Sequence, residues 1–284
     1  MPLRSNDHRQ DFEVAPDILG VTSGESVKIG MFQIFKLIQP KEHGSWSLAL
    51  EPLALGLLAA PSAAGGALAI SGFSAFFLRR PLKLAITGKT DSRRTLAITC
   101  LAILGMVAFA GLALAVRFEG FTRLWALIPA ALFGMVFVWF DLQNGAREGY
   151  AELAGVVAFG ILPAAFGALA HWSTVESIAL AMVMLSRSVP TILFVRTYMR
   201  RRKGRPATPV PTLIAAGLAC SLTGCLVLLH VAPWPAAVFV FILAARSLWL
   251  LSTRRRFSAK SIGIAELALG VVMVLTVATA WKPL

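Results

Sequence analysis

Ionisable side chains are scarce in this sequence, and those it has gather at the edges of apolar runs or inside them. In "PKEHGSWSLALEP", Glu42 and His43 stand just before an apolar run and Glu51 lies within it. On a helix His43, Ser47 and Glu51 fall at i, i+4 and i+8, a polar stripe that carries Glu51 about 12 Å along the axis from His43. A charge at membrane depth costs a few kcal/mol unless it is paired or hydrated. Glu42, His43 and Glu51 are therefore candidate acid/base or orienting groups. Glu42 and His43 serve equally well as caps, because the helix macrodipole favours a negative side chain at the N-terminus.

Three further stretches carry charge in a pattern. In "FFLRRPLKLAITGKTDSRR" the cations Arg79, Arg80 and Lys83 surround Pro81. A proline there predicts a break in the helix, turning the cations into a loop that can cradle a phosphate or carboxylate; topological charge facing lipid headgroups is the other reading. In "DLQNGAREGYAEL", Asp141 and Asn144 precede Glu148 and Glu152, which are four residues apart and share a helical face. Such carboxylates can hold Mg²⁺ or move protons, or can pair with Arg147 and the neighbouring basic loops. Finally, "VESIALAMVMLSRSVPTILFVRTYMRRRKG" places Arg187 near the middle of an apolar run and Arg196 and Arg200 on one face near its end. Arg187 needs a partner, and Glu51 is the acid expected at comparable depth. Arg246 and Glu266 are expected to form a structural pair across a hairpin.

The elements that position these groups follow from composition. Of 284 residues 57% are hydrophobic and only 14% charged, with a mean hydropathy of +0.74, far from a soluble domain at roughly a quarter charged. Apolar runs near the roughly 20 residues that cross a bilayer as helix recur at 44–61, 64–78, 95–116, 121–140, 150–170, 176–199, 210–230, 234–252 and 262–281. They predict an all-α integral membrane protein with nine spans. No dyad alternation of the kind a membrane β-barrel needs is visible in runs such as "LAITCLAILGMVAFAGLALAV".

The net charge of +13 invites a nucleic-acid reading, but the distribution of the cations answers it. With nine spans, 22 of the 27 Lys and Arg residues fall on the side of the N-terminus, 3 on the other, and Arg187 and Arg246 inside spans. By the positive-inside rule the N-terminus is cytoplasmic, and the basicity expresses topology and contact with anionic membrane lipids; no nucleic-acid partner is expected.

Residues 1–30 read as a polar tail without a cleavable signal. Residues 31–39, containing "MFQIFKLI", read as an amphipathic interfacial helix, and residues 40–284 as one transmembrane domain. Cys100, Cys220 and Cys225 lack the spacing of a zinc or redox site. Pro52, Pro163 and Pro190 lie inside spans, where each frees a carbonyl.

"PKEHGSWSLALEPLALG", "RRPLKLA" and "SRSVPTILFVRTYMR" together resemble the YwiC-like family of bacterial membrane proteins. That resemblance implies a multi-pass protein of the bacterial cytoplasmic (inner) membrane. A more remote likeness links "LALEPLALGLLAA", "RRPLKLAITGK" and "YAELAGVVAFGILPAAFGAL" to the UbiA superfamily of intramembrane prenyltransferases. It implies a nine-helix UbiA-like bundle with its site at the cytoplasmic loops. Those enzymes hold Mg²⁺ with two Asp-rich motifs, and here the matching regions read "FFLRRPLKLAITGKTD" and "FVRTYMRRRKG". Cations stand where the acids belong, which disfavours a metal, so no cofactor is expected. The expectation is a cytoplasm-facing cavity for an amphipathic anionic ligand resembling an isoprenoid or lipid phosphate. Its ligand-binding set is Arg79, Arg80, Lys83, Asp141, Asn144, Glu152, Arg187, Arg196 and Arg200, with a metal-independent transferase among the readings. A transporter or channel with a midplane Glu/Arg site, or an assembly factor, are the alternatives.

Overall fold

The computed structural model describes residues 45–87, 91–143, 149–253 and 257–281. The polar tail, the interfacial helix, Glu42, His43, Asn144, Arg147 and Glu148 lie outside them.

Among the described residues the chain forms nine α-helices: α1 Ser45–Ala59, α2 Ala63–Thr87, α3 Asp91–Glu119, α4 Leu127–Leu142, α5 Gly149–Leu169, α6 Thr174–Arg202, α7 Val210–Leu228, α8 Trp234–Ser252 and α9 Ala259–Ala280. Each coincides with one predicted apolar run. Six of them, α3 from Arg94 and α5 to α9, are long and apolar enough to cross a membrane, and α1 and α4 contain shorter apolar stretches. The protein is a multi-pass, all-helical membrane protein. Its exterior agrees with lipid as the surrounding solvent: Met106, Phe109, Leu132, Leu218 and Phe241 are all more than half exposed, a surface that water would not tolerate at this density.

Two boundaries depart from expectation. The break predicted at Pro81 does not occur, because α2 runs on to Thr87 with the proline inside it. Arg79, Arg80 and Lys83 are thus helical residues and not loop residues. Proline removes one backbone donor from a long helix, and within a bundle that loss is tolerated. The start of the fourth span is also displaced: Phe121–Leu124 form a 3₁₀ turn, entered through Gly120 with φ 79°, a left-handed value that a glycine adopts freely.

Close approach between helices rests on small residues. A Cβ added at Gly56 on α1 would lie 2.5 Å from the Phe166 ring of α5, and one at Gly160 on α5 would lie 2.5 Å from Leu185 of α6. At Gly111 on α3 an added Cβ would lie 2.7 Å from the Ala67 carbonyl of α2, where Ser71 also donates to the Ala108 carbonyl at 2.8 Å.

Two of the resulting apolar cores include α1, and a smaller one gathers Phe194, Tyr198, Leu250 and Ile262. Of the two, one joins α1 with α6 to α9 through Leu55, Leu180, Met184, Val240 and Val277. The other joins α1 with α2 to α5 through Leu53, Leu68, Leu124, Leu162 and Phe166. Leu53 and Leu55 point α1 into both, so this short helix is buried on two sides and its one acid, Glu51, is buried with it. A capping box starts α6: Ser173 Oγ accepts from the Glu176 N–H, while Glu176 Oε2 accepts from the Ser173 N–H at 3.0 Å.

Candidate functional site

Four charged side chains meet inside the second half of the bundle. Arg187 on α6 donates through Nη2 to Glu51 Oε1 at 2.8 Å and to the Glu266 carbonyl of α9 at 3.0 Å. The Glu266 side chain in turn forms an ion pair with Arg246 of α8, whose guanidinium lies 4.8 Å from the centroid of the buried Phe194 ring. Glu51, Arg187 and Glu266 are 6%, 3% and 6% exposed and Arg246 is partly buried, so two acids and two arginines form a formally neutral quartet with three of its four members buried. Neutrality is what makes the arrangement tolerable, since each isolated charge at this depth would cost a few kcal/mol.

Helix geometry explains the meeting. Glu51 and Glu266 each sit six or seven residues into their helices, and Arg246 sits six residues before the end of α8, all about 10 Å from the corresponding helix ends. Gly270 completes the site. It follows Glu266 by one helical turn, and a Cβ placed on it would overlap both Glu51 Oε1 and Arg187 Nη2. The absent side chain uncovers the Glu266 carbonyl and lets Arg187 reach it.

A second cluster lies where α2 and α4 end and α5 begins. Arg79 Nε donates to Asp141 Oδ2 at 2.7 Å, and Lys83 Nζ donates to the Asp141 carbonyl at 2.8 Å and to Oδ1 at 3.2 Å. Arg79 and Lys83 are four residues apart on α2, hence on one face, and together they close on one buried carboxylate. The Arg79 guanidinium also lies 4.5 Å from the Phe137 ring centroid. Beyond that ring, a Cβ on Gly155 would lie 3.2 Å from Phe137, and one turn earlier on α5 Glu152 accepts from Arg196 Nη1 at 2.8 Å. Gly149 opens α5 with no side chain, so the Arg196 guanidinium packs within 3.2 Å of where its Cβ would be.

The side chains of Arg79, Lys83 and Arg196 remain 32%, 30% and 28% exposed. Each is thus held by an acid on one side and open on another. Arg80 is half-buried and Arg200 is exposed.

The residues singled out in the sequence therefore fall into two tiers. Arg187 and Arg196 are nine residues apart on α6, about 14 Å along its axis, so the buried quartet and the cationic cluster are separate. The expected Glu51–Arg187 and Arg246–Glu266 pairs are both present, but as parts of one network. Asp141 and Glu152 find their cations on α2 and α6. Sequence reasoning missed Phe137, Gly149 and Gly270; the available signal was the one-turn spacing of Phe137 to Asp141 and of Glu266 to Gly270.

Comparison with known proteins reaches one residue of the first tier and most of the second. Residues 39–166 match the family model of the YwiC-like protein. The YwiC-like segment takes in α1 to α4 and most of α5, and with them Glu51, Arg79, Phe137, Asp141 and Glu152. The stretch "SRSVPTILFVRTYMR", in which the same likeness was read, lies beyond the matched segment, as do Arg187, Arg196, Arg246 and Glu266. No curated protein and no solved structure matches the chain.

Proposed function

We propose that the protein is a nine-pass, UbiA-like bundle of the bacterial cytoplasmic membrane, its N-terminus in the cytosol, that binds the anionic headgroup of an amphipathic isoprenoid- or lipid-phosphate-like molecule. The headgroup sits at the cytoplasmic ends of α2, α4, α5 and α6. One observation carries this reading: Arg79, Lys83 and Arg196 are each fixed by Asp141 or Glu152 yet keep about 30% of the side chain exposed. Fixed, partly open cations are a pre-organised anion site, because the ordering cost is met before the ligand arrives. Among the described residues Arg79, Lys83 and Arg196 are held by two acids, Asp141 and Glu152. Arg200 at the end of α6 adds a further cation, and the apolar flanks of the helices would take the tail.

The test is mass spectrometry of the lipids that co-purify with the protein. The expected result is an isoprenoid phosphate or anionic phospholipid at near-stoichiometric yield, reduced at least tenfold by Arg79→Ala and by Arg196→Gln. Unchanged lipid content in both variants would sink the reading.

The buried quartet favours a second reading, transport through a midplane Glu51/Arg187 site, since intramembrane ionisable groups mark ion and proton pathways. In the transferase version of the first reading Glu51 would be the acid/base group. The two versions separate on whether a Glu51→Gln variant still binds the lipid while losing turnover, or loses substrate flux in sealed vesicles.

A further inference from the structure

A small cavity of about 10 Å³ lies between α6, α7 and α8, and Ser186, Arg187, Pro190, Thr191, Ala219 and Ser247 are among the residues that line it. Two polar atoms of its lining have no hydrogen-bond partner: Arg187 Nε and Ser186 Oγ. Both residues are more than nine-tenths buried, at 3% and 6% exposure. A buried donor and a buried hydroxyl without partners are each costly, and native proteins rarely leave them so.

Pro190 adds a third polar group. It has no N–H, so the Ser186 carbonyl one turn earlier on α6 lacks its ordinary helical donor. Within one turn of α6 the lining residues thus carry a donor from a charged guanidinium, a hydroxyl able to donate or accept, and a carbonyl without its helical donor. A water molecule needs about 10–15 Å³ and two to four polar partners. The cavity is of about that size and its lining residues carry that complement.

We infer that the structure holds a specific internal water site here, in the middle of the membrane, that completes the hydrogen bonding of Arg187 and so hydrates one end of the Glu51–Arg187–Glu266–Arg246 quartet. The inference is independent of the headgroup proposal, because the cavity touches none of the residues of that cluster.

The sign of a cavity-filling substitution tests it. Ala219→Val in the full-length protein in nanodiscs introduces methyl groups into the space. If a water is bound there, filling the space evicts it and strands Arg187 Nε, and the apparent melting temperature falls by roughly 3 °C or more; if the space is dry, the same substitution improves packing and the melting temperature rises, which overturns the inference. Should Ala219→Val fail to fold, water-edited solid-state NMR on arginine-labelled parent protein gives the answer directly, the Arg187 Nε signal being assigned by its loss in Arg187→Lys. Rapid magnetisation transfer from water to that Nε–H supports the site, and no transfer refutes it.

Discussion

Gly270→Ala tests the quartet with the addition of one methyl group. The new Cβ would overlap Glu51 Oε1 and Arg187 Nη2 and lie 2.5 Å from Glu51 Cδ, whereas real Cβ contacts essentially never fall below 3.0 Å. The tips of long side chains can usually retreat, but these two are pinned: Arg187 Nη2 holds Glu51 and the Glu266 carbonyl together. Moving either tip breaks a buried charge-assisted contact, and separating a buried ion pair costs about 3–5 kcal/mol. Partial relaxation of α9 brings the expected loss to about 2–4 kcal/mol, or roughly 5–12 °C in apparent melting temperature for a chain of this size.

The control lies on the same helix. Nothing is within 4 Å of a Cβ on Gly263, so Gly263→Ala should gain about 0.5–1 kcal/mol from the lower flexibility of alanine. Thermal unfolding of both variants in one detergent, at one scan rate, checks the pair. In a Glu51→Gln, Arg187→Met background the Gly270→Ala penalty should shrink, because contacting residues are not additive. Equal melting temperatures for Gly270→Ala and Gly263→Ala would refute the geometry on which the quartet rests.

Glu51→Gln alone leaves a buried guanidinium without its counter-charge and should cost about 3–5 kcal/mol; replacing Glu51 and Arg187 together should cost less than either single change, measured by the same melts. Asp141→Asn removes the charge that gathers Arg79 and Lys83, and with charge-assisted hydrogen bonds worth about 1.5–3 kcal/mol the variant should lose about 2 kcal/mol and bind less co-purifying lipid. Gly149→Val places methyl groups against the Arg196 guanidinium and should lower lipid content severalfold while changing the melting temperature little. Ser173→Ala deletes the cap of α6 and should cost about 1 kcal/mol, with no effect on lipid content.

Among the described residues the helices were legible in the sequence because each of the nine coincides with one apolar run, and six of them are long and apolar enough to cross a membrane. The failure at Pro81 is instructive in the same terms. A proline argues for a break when water competes for the freed carbonyl and the flanking residues can solvate. In α2 the proline follows more than four turns of apolar helix and precedes Lys83, Leu84 and Ile86, so continuing the helix costs one hydrogen bond while ending it would expose several. The same reasoning covers Pro52, Pro163 and Pro190, which also lie inside continuous helices.

The ion pairs were legible for a different reason. A buried arginine demands an acid, and only Glu51 and Glu266 stand at suitable depth in their runs, so depth counted along the helices was enough to couple Glu51 to Arg187 and Glu266 to Arg246. What depth does not contain is azimuth. Whether the two pairs touch depends on how α1, α6, α8 and α9 are rotated about their axes, and that is set by contacts such as Leu55, Met184, Val240 and Val277 in the shared core, none of which has a distinctive spacing. Gly270 is invisible for the same reason: a glycine in an apolar run is ordinary in membranes, and only the arrival of Arg187 from another helix gives its missing side chain a role. Depth likewise separates the two tiers, since the about 14 Å between Arg187 and Arg196 is fixed by nine residues of one helix. On α6 Arg187 belongs to the buried quartet and Arg196 to the cationic cluster.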